Sequence, residues 1–191
     1  MSVAGTTSSA LRRVVISGGP GSGKTTLIDA LRARGHACCE EVSRQLIREQ
    51  HAHGGALLPW RDLPGFAAEC ERRMCGQLAE TAGHALVFLD RGLPDIIAYL
   101  RHAGLQPPSR LFADARAYAR VVFLAPPWQA IYTQDAERPQ TYLDAVALHA
   151  ELERAYRDCG FTIVPLPRAD VATRVAFVER VLAGAPNPVS P

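Results

Sequence analysis

No apolar run in this chain is long enough to cross a bilayer. The longest, such as Ala85–Leu89 and Val121–Pro127, fall far short of the roughly 20 residues a membrane helix needs. An excess of charge is missing too: 21 basic residues face 19 acidic ones, for a net charge of +2. That balance is too mild for nucleic acid or an anionic membrane to be the main partner. Cysteine is sparse, with five residues in all; Cys38 and Cys39 are adjacent, and Cys70 and Cys75 stand five positions apart. Neither spacing matches a zinc knuckle or a redox pair, so no structural metal site is expected. The opening residues Met1–Ala10 lack the basic start and apolar core of a secretion signal. Reduced thiols in the cytoplasm are the expectation.

The composition that remains is that of a globular protein, with 48% hydrophobic and 21% charged residues among 191. It excludes a disordered chain. One domain over residues 11–183 is expected, between a disordered lead-in (1–10) and a flexible, proline-bearing tail (184–191).

Strands and helices alternate along that domain. Arg12–Ser17, His36–Cys39, Ala85–Asp90, Arg120–Leu124 and Phe161–Pro165 form short apolar or β-branched runs and read as strands. Between and after them, Gly23–Arg34, Glu41–His51, Gly65–Ala82, Leu93–His102, Ser109–Ala119, Trp128–Asp135, Thr141–Cys159 and Asp170–Leu182 read as helices. Gly54–Pro64 reads as a loop. Five buried strands interleaved with helices predict an α/β fold with a parallel sheet covered on both faces.

The stretch Gly18-Gly19-Pro20-Gly21-Ser22-Gly23-Lys24-Thr25 matches the phosphate-loop pattern G-x-x-x-x-G-K-[ST], and Thr26 follows it. Glycines let backbone N–H groups wrap close to phosphate oxygens. The helix that follows adds its positive end. Lys24 is expected to reach the β- and γ-phosphates of ATP or GTP, and the Thr25 hydroxyl to ligate Mg²⁺.

Ligands in open α/β sheets sit at the carboxyl ends of strands. Three such ends carry charge here. After the second strand, Glu41, Arg44 and Arg48 share one helical face. Glu41 is expected to serve catalysis or the acceptor, with Arg44, Arg48 and Tyr99 as candidate acceptor contacts, while Glu40 is expected to be solvated. After the third strand, Asp90 is placed to hold Mg²⁺ and Arg91 to face phosphate. After the fourth, Arg138 is expected on a mobile segment that closes over the transferring phosphates. His51 and His53 are expected in a mobile loop. Trp60, Trp128, Tyr142 and Tyr156 are read mainly as packing residues.

Beyond the phosphate loop, the sequence resembles the AAA-type P-loop domain family that includes the ribosylnicotinamide kinase domain. It is more distantly similar to nucleoside and nucleotide kinases. The resemblance rests on ISGGPGSGKTTL at Ile16–Leu27, EVSRQLI at Glu41–Ile47, VFLDRGLPD at Val87–Asp95, the ER at Glu137–Arg138 and AYRDCGFTIVPLP at Ala155–Pro167. It implies a sheet of order 2-3-1-4-5 and a helical lid around Arg138. It also implies Glu41 as a base toward the acceptor, and Asp90-Arg91 serving metal and phosphate. Two activities fit: a kinase acting on a small, nucleoside-like hydroxyl, or a nucleotide-dependent switch with slow hydrolysis. A kinase needs an acceptor pocket within reach of Glu41 and Asp90. A switch needs only mobile surface.

Overall fold

The computed structural model describes residues 12–132 and 141–184. Five strands form one parallel sheet: β1 (Arg12–Gly18), β2 (Ala37–Cys39), β3 (Leu86–Asp90), β4 (Val121–Ala125) and β5 (Thr162–Pro165). Their order is β2-β3-β1-β4-β5, the expected one, with every neighbouring pair parallel. The helices are α1 (Lys24–Ala33), α2 (Val42–His53), α3 (Leu63–Glu80), α4 (Leu93–His102), α5 (Ser109–Asp114), α6 (Tyr142–Asp158) and α7 (Val171–Leu182). No described helix is long and apolar enough to cross a membrane.

Alternation along the strands divides the interior in two. Val14 and Ile16 of β1, with Phe88 and Phe123, pack against Leu27 and Leu31 of α1 and Val175 and Val178 of α7. Val15, Leu89, Val122 and Leu124 point the other way, into a larger core with α2 to α6. This is the two-residue period of a strand buried on both faces. Loops leaving the carboxyl ends of β1, β2 and β3 therefore emerge side by side.

Several expected boundaries move. The helix expected over Ser109–Ala119 is α5 followed by a 3₁₀ turn, Ala115–Ala117. It stops where Tyr118 turns extended and its hydroxyl accepts the Leu93 N–H. The loop expected through Pro64 ends earlier, because Asp62 caps α3 by accepting the Gly65 N–H at 3.0 Å and Pro64 suits its first turn. His51 and His53 belong to the last turn of α2 and not to a loop. In place of the helix expected from Trp128, the described residues hold a 3₁₀ turn at Gln129–Ile131. The expected lid segment with Arg138, the lead-in, and residues 185–191 of the tail lie outside the described residues. All five cysteines are free.

Candidate active site

The phosphate loop leaves β1 at Gly18 and enters α1 at Lys24. Gly18, Gly21 and Gly23 all have positive φ (146°, 68° and 76°), which only glycine adopts without strain. The first turn of α1 carries no acidic residue, so its positive end stays open to an anion. The Lys24 ammonium lies inside the loop, 2.9 Å from the Gly19 carbonyl, and the Ser22 hydroxyl donates to the same oxygen at 2.8 Å. Burial, followed by the neighbouring Arg91, lowers the Lys24 pKa to about 8 against the pull of Asp90, Glu41 and Asp95. Lys24 is the chain's only lysine; the other 20 of its 21 Lys and Arg residues are arginines.

A cleft of about 420 Å³ runs beside this loop. Gly21–Thr26 form one wall, and Trp128, Ile131, Ala169 and Asp170 stand across it. A second cavity of about 260 Å³ opens between α2, α3, α4 and α6. Its walls are mostly apolar, with Ile47, Phe66, Met74, Ile96 and Leu148. Its polar side chains include Glu41, Arg44, Arg91, Asp95 and Tyr99. Glu41 and Arg44 line both spaces, so the two meet at that pair.

Arg91 sits in the centre of a buried network. It is the sole non-glycine residue with positive φ among those described (73°). Its Nε donates to Glu41 Oε1 at 2.9 Å, and one terminal nitrogen donates to the Gly18 carbonyl and to Asp95 Oδ1 at 3.1 and 3.0 Å. Its guanidinium also stands 5.5 Å over the Tyr99 ring. Burial would raise the Glu41 pKa, but Arg91 and Lys24 outweigh it and hold the carboxyl at about 2. Asp90 behaves oppositely. Burial, then repulsion from Glu41, pushes its pKa up to about 7 against Lys24 and Arg91. Its Oδ1 is buried without a hydrogen-bond partner.

That orphaned oxygen is a fit test for magnesium. No group of three or more His, Cys, Asp or Glu is gathered for a metal among the described residues. A magnesium ion carried in on phosphates needs only one or two protein oxygens. Asp90 Oδ1 and the cleft-facing Thr25 hydroxyl are of the right kind.

Of the expected acceptor contacts, Arg44 and Tyr99 line the cavity, and Arg48 lines neither space and is exposed. Glu40 is exposed, as expected, and accepts from Gln45. The tryptophans are not core residues: Trp60 is 47% exposed on the cavity wall and Trp128 is half-buried on the cleft. Tyr156 is fully buried, and its hydroxyl donates to Asp95.

Two residues escaped the sequence reading. Asp95 accepts from Ser17, Arg91, Tyr156 and the Gly92 N–H, all within 3.0 Å. Its i+4 spacing from Arg91 was a usable signal. Arg174 of α7 donates to the Ser22 and Gly23 carbonyls. Nothing local in the sequence marks it.

A parallel 2-3-1-4-5 sheet whose central strand runs into a G-x-x-x-x-G-K-T loop defines a P-loop nucleotide-binding fold. The chain belongs to an AAA domain family, whose model matches residues 13–174. No curated protein sequence matches the chain. Among solved structures it is similar to deoxyadenosine kinase from M. mycoides, with 14% identity, a TM-score of 0.61, and coverage of 90% of this chain and 99% of that one. Shikimate kinase from Acinetobacter baumannii gives 15% identity, a TM-score of 0.60, and coverage of 94% and 96%. NadR in complex with NR gives 18% identity and a TM-score of 0.65; the match covers 95% of this chain but 52% of NadR, about half its length. At such identities the likeness is one of fold.

Proposed function

We propose that this protein is a P-loop phosphotransferase that moves the γ-phosphoryl group of Mg·ATP or Mg·GTP to the hydroxyl of a small, nucleoside-like acceptor. The observation that carries this reading is the junction of two spaces, a phosphate-loop cleft and a mainly apolar cavity, at Glu41 and Arg44. A nucleotide switch has no need of the second cavity. The kinase folds of the similar structures support the same reading.

The donor's phosphates lie in the phosphate loop, with Lys24 against the β- and γ-phosphates and Thr25 and Asp90 as the protein's oxygens for Mg²⁺. Bound there, the ion would neutralise charge on the β- and γ-phosphate oxygens. The acceptor's ring packs in the apolar cavity beside Tyr99, and its hydroxyl hydrogen-bonds to Glu41. As the new O–P bond forms and the β,γ-bridge breaks, the hydroxyl proton passes to Glu41. A carboxyl held near 2 is a weak base. That suffices for a loose transition state, in which positioning and electrostatics do most of the catalysis. Arg91 anchors Glu41 and brings positive charge to the junction, and Arg138 adds another from its own segment.

The test is a coupled phosphoryl-transfer screen with Mg·ATP and Mg·GTP against nucleosides, nucleotides, ribosylnicotinamide and small hydroxyl metabolites. Transfer to one acceptor class, lost in Asp90→Asn, is the expected result. Tight nucleotide binding with no transfer to any acceptor would overturn the kinase reading in favour of a switch.

A further inference from the structure

Arg174 is 4% exposed, yet no carboxylate among the described residues pairs with it. The acid one turn earlier, Asp170, uses its carboxylate to cap α7 through the Thr173 N–H. The partners of Arg174 are the Ser22 and Gly23 carbonyls, at 3.2 and 3.4 Å, and its Nε is buried with no partner. Burial without a counter-charge pulls its pKa below the usual arginine value. A buried cation with no counter-charge is costly to fold around. Neutral carbonyls offset only part of that cost.

The position of this cation is specific. Arg174 lines the phosphate-loop cleft together with Thr25, Thr26 and Asp170, away from the acceptor cavity that Arg91 and Asp95 line. It also packs tightly on the loop, since a Cβ on Gly23 would come within 2.7 Å of its guanidinium. The loop thus carries two cations from different elements: Lys24 from within and Arg174 from α7.

We infer that Arg174 is a donor-binding residue whose counter-charge is the α-phosphate of the nucleotide. This rests on the proposed nucleotide-binding role of the loop and adds a ligand contact from the last helix. The nucleotide then completes the pairing that the described residues leave open. The terminal phosphates stay with Lys24, and the α-phosphate ties the loop to α7.

Binding of ADP, AMP and adenosine, or of the guanine series if the wild-type protein prefers it, would be measured by calorimetry for wild type, Arg174→Met and Arg174→Lys. Ligand-free melting temperatures would be taken in parallel. The expected result is at least a tenfold loss of ADP and AMP affinity in Arg174→Met, partial recovery in Arg174→Lys, and a ligand-free melting temperature that is unchanged or higher. Wild-type affinity in Arg174→Met would overturn this inference alone. So would a lowered ligand-free melting temperature with equal losses for nucleoside and nucleotides, because that pattern marks a purely structural clamp. A wild-type protein that binds no nucleotide would overturn the donor reading and this inference together.

Discussion

Arg91 Nε donates to Glu41 Oε1 across 2.9 Å, which ties the end of β3 to the cap of α2. Both side chains are largely buried, at 6% and 15% exposure, and Asp95 shares the same guanidinium. Arg91→Ala would leave two buried carboxylates without their cation. The expected loss is about 3–5 kcal/mol of stability, read from denaturant midpoints.

Glu41→Gln separates charge from shape. The folded Glu41 pKa is depressed from 4.5 to about 2. A depressed carboxyl contributes stability that is present above its unfolded pKa and lost as pH falls through the folded one. The wild-type protein should therefore exceed Glu41→Gln by about 3 kcal/mol at pH 7. That margin should close between roughly pH 4.5 and pH 2. A margin independent of pH would show that the ion pair is not its source. In the transfer assay the same variant is expected to lose about 10²-fold in kcat.

Asp90 carries the opposite sign. Its folded pKa is raised from 3.8 to about 7, so the stability it contributes is present below about pH 4 and lost as pH rises through 7. In metal-free buffer at pH 8, Asp90→Asn should be more stable than wild type by about 2–4 kcal/mol, and at pH 4 the two should coincide. Added Mg²⁺ with nucleotide should raise the wild-type melting temperature more than the variant's. A variant that is less stable at pH 8 would mean that the Asp90 carboxylate has a stabilising partner after all.

The extent to which these features were legible in the sequence follows from distance along the chain. The phosphate loop was plain, because its function needs eight contiguous residues and a flanking strand and helix. The five apolar runs gave a parallel sheet, and the family resemblance alone implied its order. The Asp95 hub was opaque, since Ser17 and Tyr156 lie 78 and 61 positions away. Arg174 meets Ser22 from 152 positions away, and no local pattern encodes that contact. Arg48 marks the limit of periodicity: it shares the helical face of Glu41 and Arg44 and follows Ile47, which lines the cavity, yet it lines neither space itself.

Two glycines should respond oppositely to alanine. At Gly18 φ is 146°, and an added Cβ would lie 2.6 Å from the Ala125 carbonyl, on backbone that cannot move aside. Gly18→Ala is expected to cost more than about 2 kcal/mol and to weaken nucleotide binding as the loop shifts. Gly76 is exposed within α3, with nothing within 4 Å of an added Cβ. There alanine should stabilise the protein by about 0.5–1 kcal/mol and leave binding unchanged. Thermal denaturation of the pair, with and without ADP, checks both.

Because Lys24 is the only lysine, its chemistry can be followed without interference from other ε-amines. Burial and Arg91 lower its pKa to about 8, so at pH 8 about half of its amine is unprotonated and nucleophilic. Its exposure is 5%, and the cleft beside the loop is its route to solvent. A small acylating reagent at low excess should modify Lys24 with a rate that climbs to a plateau just above pH 8, where an ordinary lysine would still be accelerating. Saturating ADP with Mg²⁺ should suppress the reaction, because the β-phosphate takes the ammonium as its partner and excludes the reagent. Peptide mass spectrometry separates Lys24 from the α-amine, which serves as the unprotected control. Labelling at Lys24 that nucleotide leaves untouched would place the phosphates elsewhere and undo the loop assignment on which the kinase reading stands.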